Sequence, residues 1–180
     1  MIGNNSISLL TDAWMKGIRT ICPEKALEAM IHQTEARHPG ISSVGRDGFG
    51  YYDRLGYVPY PEVHEATAKT LEYAYADWCV ARFADSIGRK EIADTYYRKA
   101  LNYRNLYYPD YGFMWAKDAN GKWRDAFDAT EWGGPFTEGS SWHWTWSVLH
   151  DPEGLSRLMG GHTAMEARLD SMFTAPNTYN

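Results

Sequence analysis

The residues best suited to chemistry stand close together in TEGSSWHWTW, Thr137 to Trp146. One carboxylate, Glu138, precedes a histidine, His143, and three tryptophans, Trp142, Trp144 and Trp146. A carboxyl beside indole can serve as a general acid, because apolar surroundings favour its protonated form near neutral pH. Such a group can protonate the departing oxygen of a glycosidic bond. Thr137 reads as a helix N-cap, which puts Glu138 in the first turn. Trp142 and Trp146, at i+4 and i+8, then share its face while Trp144 points elsewhere. The helix N-terminus opposes the effect by favouring the anion. The plainer alternative is that Glu138 only complements the helix dipole.

One acid is not a mechanism. Hydrolysis with inversion needs a second carboxylate roughly 6.5–9.5 Å from the first, with water between them. Asp12, Asp47, Asp125, Asp128, Glu131 and Asp151 are the candidates, and none sits in a motif that marks a base. A second cluster lies in GRDGFGYYDRLGYVP, where Arg46 and Asp47 stand between glycines and precede Tyr51, Tyr52 and Tyr57. Arg46 can grip hydroxyls or a carboxylate, and Asp47 can accept from hydroxyls. The competing reading is a turn with a local ion pair. Other chemistries are poorly served. His64-Glu65 has Ala68 where a zinc-protease helix needs its second histidine, and DANGKWRD fails the spacing of an EF-hand loop. No nucleophile elbow and no phosphate-cradling glycine loop is present, and no metal ligands are identified.

The elements that must position these residues are helical. NNSISLLTDAWMKGI and PEKALEAMIHQTEAR carry helical apolar spacing, the first capped by Asn or Ser. A turn-rich connection, residues 36–61, follows. The clearest helix runs from about Glu62 to Ile87, with Leu71, Tyr75, Cys79, Phe83 and Ile87 in a row and Ala74 and Trp78 beside it. Gly88 ends it, and a second long helix turns Ile92, Tyr96, Ala100, Tyr103 and Tyr107 inward, making an antiparallel hairpin. A small β-hairpin near 112–124 is predicted around Asn120-Gly121, a type I′ signal. Helices resume in TEGSSWHWTWSVL, DPEGLSRLMGG and HTAMEARLDSMF. The fold class is therefore all-α: antiparallel helical hairpins in series, as in part of an (α/α)6 toroid, within one helical domain over 1–180.

Composition narrows the partners. A net charge of −5 without a basic cluster argues against nucleic acid and anionic membrane surfaces. No apolar run reaches membrane-spanning length, and the N-terminus lacks the pattern of a secretory signal. Eight Trp, 13 Tyr and 6 Phe suit sugar-binding clefts, although they suit helix packing equally. The two cysteines, Cys22 and Cys79, give no disulfide framework.

Taken in order, MIGNNSISLLTDAWMKGIR, GRDG…YYDRLGYVP, KTLEYAYADWCVARFA, and FTEGSSWHWTW followed by HDPEGLSRLMGG resemble glycoside hydrolase family 92, the calcium-dependent exo-acting α-mannosidases. The likeness runs over nearly the whole chain. It implies a piece of a larger helical (α/α)6 catalytic domain, acting on mannose-containing glycans in a secreted, periplasmic or cell-surface bacterial protein. It also implies Glu138 as general acid, from the family's TEG-x-x-W motif. Arg46, Asp47, Trp142 and His143 are the substrate-binding candidates. Ser140-Ser141 and His143-Trp144 depart from the family's common Asn-Ala and Gln-Tyr, which bears on the leaving-group subsite. The family's base lies further toward the C-terminus, and its calcium ligands are not identified in this chain. The 180 residues alone are then expected to lack mannosidase activity and to self-associate through exposed apolar faces. Two other readings stand beside this one: a non-catalytic helical module binding carbohydrate or protein, and another (α/α)6 glycosidase.

Overall fold

The structure, a computed structural model, describes residues 2–3, 5–41 and 44–175. Eight α-helices are found among them: α1 (Asn5–Met15), α2 (Pro23–Gln33), α3 (Phe49–Leu55), α4 (Ala66–Ser86), α5 (Lys90–Lys99), α6 (Ser141–Trp144), α7 (Pro152–Leu158) and α8 (His162–Thr174). A 3₁₀ segment, Ala100–Leu106, continues α5. Of the Asn and Ser residues expected to cap α1, Asn5 and Ser6 lie within the helix and Asn4 lies outside the described residues.

Helix α4 is the axis of the fold, with α1, α2, α5 and the 3₁₀ segment packed on it. Its expected one-sided row is only part of the buried surface. Leu71, Cys79 and Phe83 are buried as expected, while Tyr75, Trp78 and Ile87 are only partly covered. Thr67, Thr70 and Asp77 on other faces are fully enclosed. Six small residues, Ala66, Ala68, Ala74, Ala76, Ala81 and Ala84, let neighbours approach from several sides. Ile7, Leu27, Met30, Val80, Phe83, Ala93 and Tyr96 form one core cluster. Leu71, Tyr103, Leu106, Met114, Val148 and Leu155 form another.

The α4–α5 hairpin closes through a Schellman end. Gly88, at φ 77°, donates its N–H to Asp85 O (3.1 Å), and Arg89 N–H reaches Ala84 O (2.9 Å). The small β structure is more divided than expected. Strand β1 (Tyr107–Tyr108) pairs antiparallel with β2 (Phe113–Met114), Tyr107 opposite Met114. A separate bridge joins Lys117 to Trp123 around Asn120-Gly121. That turn is not type I′: Gly121 takes φ 85° but Asn120 stays out of the left-handed region. Asp118 receives Gly121 N–H on its carbonyl and the N–H groups of Asn120 and Lys122 on Oδ1. This is the three-residue loop with a glycine bulge.

Candidate functional site

The stretch around Glu138 corrects the expected helix start. Glu138 has φ 46°, in the left-handed region that a right-handed helix cannot continue through. Its neighbours' backbone groups are committed elsewhere: Trp144 Nε1 donates to Thr137 O (2.9 Å), and Gly133 N–H donates to Gly139 O (2.9 Å). Ser140, not Thr137, is the N-cap, and α6 is a single turn. The Ser140 N–H donates to His143 Nδ1 (3.1 Å), taking the part a Glu or Gln plays in a capping box. That bond puts the proton of the neutral His143 ring on Nε2.

The tryptophans are rearranged accordingly. Without helical register from position 138, Trp142 is not stacked over Glu138 but sits edge-on to Phe113, centroids 4.7 Å apart. Trp146 joins the second core cluster. Trp144, expected to point away, is the indole that props the Glu138 loop: a Cβ built on Gly139 would lie 3.1 Å from its Nε1. The side chain of Glu138 is exposed, so no indole lid covers it in this chain. Exposed His143 faces Trp132, 49% exposed, in a T-shaped contact at 5.4 Å.

The loop carrying Glu138 is docked on the start of α4. Glu65 N–H donates to Gly134 O (3.2 Å), and the N–H groups of Thr67 and Ala68 reach Pro135 O (3.0 and 3.2 Å). These helix-end donors have no partner within the helix, and the loop satisfies them. The loop of Arg46 and Asp47 is held by the same end of α4. Lys69 Nζ lies 2.9 Å from Asp47 Oδ2, and Tyr73 OH donates to Asp47 O (3.0 Å). Residues 65 to 73 span roughly 12 Å of helix at 1.5 Å per residue. Both candidate clusters therefore hang from one end of one helix.

Arg46 and Asp47 do not pair with each other. Arg46 turns inward, its side chain 4% exposed, with Nη2 2.8 Å from Asp77 Oδ1 and 3.1 Å from Tyr73 O. Its guanidinium lies over the rings of Tyr73 and Tyr52 at 4.7 and 5.3 Å. Tyr52 OH donates to the other Asp77 oxygen at 2.8 Å. Burial, then the Asp77 charge, push the Tyr52 hydroxyl well above the usual phenol range. Burial would lower the Arg46 pKa, but Asp77 and the two tyrosines more than offset it. Asp47 instead keeps its side chain 42% exposed, with Arg37 Nη1 3.9 Å from Oδ1.

The other acids are occupied by local partners. Asp12 pairs with Lys16 (2.8 Å), and Asp125 pairs with Lys122 (2.9 Å). Asp128 accepts from Thr130 N and Oγ1 at 2.8 and 2.7 Å, and Glu131 holds Arg124 at 2.6 Å. Asp151 caps α7 at Gly154 N (2.9 Å) and takes Tyr103 OH and Arg104 at 2.7 and 2.9 Å. Burial raises its pKa, but these bonds bring it below the usual carboxylate range. Among the described residues no group of three His, Cys, Asp or Glu is placed to hold a metal ion. No described helix is long and apolar enough to cross a membrane.

Against known proteins, the sequence model of the glycosyl hydrolase family 92 catalytic domain matches residues 1–180. The chain belongs to family 92. The inverting mannosidase BT2199 of this family, from Bacteroides thetaiotaomicron VPI-5482, is 81% identical over all of the chain, with a TM-score of 0.93. The family 92 α-mannosidase BT3965 from Bacteroides thetaiotaomicron is 32% identical over 97% of the chain, with a TM-score of 0.88. An uncharacterized secreted glycosidase from Arthroderma benhamiae is 27% identical over 93% of the chain. The chain spans about a quarter of each relative: 24% of BT2199, 23% of BT3965 and 26% of the fungal protein. Family 92 membership accords with the expected all-helical class and its small antiparallel β element.

Sequence reading missed two things. Lys69 and Asp77, both buried, are the charged residues of α4 that hold the 46–47 loop. Their signal was positional: α4 carries five charged residues, of which Glu72, Arg82 and Asp85 share its partly exposed face while Lys69 and Asp77 fall off it. The left-handed Glu138 had a weaker signal, the glycine directly after it.

Proposed function

We propose that this chain is a segment of a larger family 92 catalytic domain that hydrolyses terminal α-mannosyl linkages with inversion. Glu138 is its general acid. The observation that carries this reading is the backbone of Glu138. A non-glycine residue at φ 46° is strained, and such strain persists where the surroundings enforce it, often at working sites. Here the Gly133–Gly139 and Trp144–Thr137 bonds enforce it and leave the carboxyl pointing outward.

In the reaction, Glu138 gives its proton to the departing glycosidic oxygen while a base on the opposite face activates water. The six candidate bases are poor choices: Asp12, Asp47, Asp125, Asp128, Glu131 and Asp151 are each engaged by a neighbouring cation or N–H. The base is assigned to the remainder of the domain. The same remainder covers Glu138 and excludes water from it, and would supply the ligands for the family's calcium. Asp47, Trp142 and His143 contribute to sugar binding, and Arg46 acts from beneath by holding the loop of Asp47. The substrates are mannose-containing glycans met in a secreted, periplasmic or cell-surface location.

The test is hydrolysis of an α-mannoside by the full-length polypeptide carrying this segment, followed by NMR. β-Mannose is expected as the first-formed product, with turnover falling about 10²–10⁴-fold in Glu138→Gln. The 180-residue chain alone is expected to show no turnover. Retention of α-configuration, or robust activity in Glu138→Gln, contradicts the assignment.

A further inference from the structure

Lys69 is buried where a lysine is costly. Its side chain, near the start of α4, is 8% exposed, yet the carboxylate it meets is not buried with it: Asp47 is 42% exposed. The ammonium makes two contacts, Asp47 Oδ2 at 2.9 Å and His64 O at 2.7 Å. It thus ties the 46–47 loop to the chain entering α4. From the other side, Tyr73 OH donates to the Asp47 carbonyl at 3.0 Å, which fixes the backbone of the same residue. The turn beneath leaves no slack: a Cβ at Gly48, φ 73°, would lie 2.8 Å from Val58 Cγ1.

Desolvating a cation is unfavourable unless its partners are well placed, and joining a loop to a helix needs no charge. What this arrangement achieves is directional. A buried cation grips one carboxylate oxygen, Oδ2, from below; the other, Oδ1, has Arg37 Nη1 at 3.9 Å and belongs to a side chain still 42% exposed. An ionised carboxylate only accepts hydrogen bonds, so its exposed part is suited to neighbouring sugar hydroxyls. It lies at the end of α4 on which the Glu138 loop is docked.

We infer that Lys69 is a positioning residue of the sugar site: it orients Asp47 to accept from hydroxyls of the bound mannosyl residue, and does not itself touch the sugar. The inference rests on the mannosidase reading above. It assigns the pair to binding and not to proton transfer.

The experiment uses the full-length polypeptide carrying this segment, with Asp47→Asn, Lys69→Met, their double variant, Lys69→Arg, and Glu138→Gln as the control for chemistry. KM, kcat and Tm are measured on one α-mannoside. Asp47→Asn and Lys69→Met are each expected to raise KM about 10-fold, the size of one lost polar contact, with kcat changed far less. The double variant should be no worse than the worse single one, and Lys69→Arg should recover part of the KM. Should Lys69→Met not fold, Lys69→Gln, which keeps a donor for His64 O, carries the same measurement. A lowered Tm with an unchanged KM in the Lys69 variants makes the lysine a structural tie and overturns the inference. So does an unchanged KM in Asp47→Asn while Glu138→Gln abolishes turnover, and in that case the mannosidase reading survives. Full activity in Glu138→Gln removes Glu138 as the acid, whereas no turnover of the α-mannoside by the unsubstituted polypeptide is the failure of the mannosidase reading itself.

Discussion

At the scale of single residues, the decisive features are charges in places that must be justified. Arg46 and Asp77 are 4% and 0% exposed and lie 2.8 Å apart, so neither can lose its partner without leaving a buried charge. Asp77→Ala and Arg46→Met are each expected to destabilise by about 3–5 kcal/mol, seen as a lower denaturant midpoint. The double variant should lose less than the two singles added together, because both remove the same pair. Simple additivity would mean that the pair is not coupled. Most of this network was visible in sequence only as letters. Arg46 was legible as a charged residue in a glycine-flanked turn, but its partner lies 31 positions on, in a helix, and no local pattern announces a contact at that separation.

At the scale of elements, helix existence was legible and helix meaning was less so. The spacing in α4 and α5 and the Gly88 stop gave the central hairpin. The start of α6 was misread because Thr137 and Ser140 are both good caps, and the choice depended on Glu138 entering the left-handed region, which tertiary bonds impose. The residues after α6 also carry a pH dependence. His150 is packed among Tyr75, Trp78 and Tyr103, with Nε2 donating to Ala100 O at 2.9 Å. Burial lowers its pKa, with the Ala100 bond and the charges of Asp151 and Asp77 only partly opposing. The unfolded chain, with an ordinary imidazole near 6.5, therefore binds the proton more readily than the folded one. The stabilisation is fully present above about pH 6.5 and is lost as pH falls through the folded value. Asp151 follows below it: its depressed pKa stabilises above about pH 3.9 and the benefit is lost on further acidification. Urea midpoints should decline on acidification from pH 7 to 5, and His150→Gln should flatten that decline. An unchanged slope in the variant would remove His150 as its source.

At the scale of the whole molecule, the exposed apolar side chains fit the proposal that the chain is a segment of a larger domain. Leu9, Leu149 and Phe173 are 68%, 74% and 78% exposed, and Ile18 and Met15 on the N-terminal side are 53% and 47% exposed. Large apolar side chains exposed in this number favour association. The isolated chain is expected to self-associate with rising concentration, and Leu149→Glu with Phe173→Glu to reduce it. A concentration-independent monomer mass by light scattering contradicts this. The proposal that the chain is a segment of a larger domain also accounts for how the site compares with its sequence reading. The acid motif was legible, but its expected indole shield is not made within this chain: Trp142 is turned to Phe113 and Trp146 to the core. Periodicity could not show this, because it assumed a helix at position 138.

The role of Glu138 as proton donor is open to a direct test through leaving-group dependence in the full-length polypeptide. A general acid matters where the leaving oxygen needs a proton and matters little where the leaving phenol is already acidic. Wild type and Glu138→Gln are compared on an α-linked mannose disaccharide and on an aryl α-mannoside with a strongly acidic phenol. A loss of about 10²-fold or more is expected on the disaccharide and a much smaller loss on the aryl substrate. Equal losses on both, or none on either, would contradict Glu138 as the proton donor.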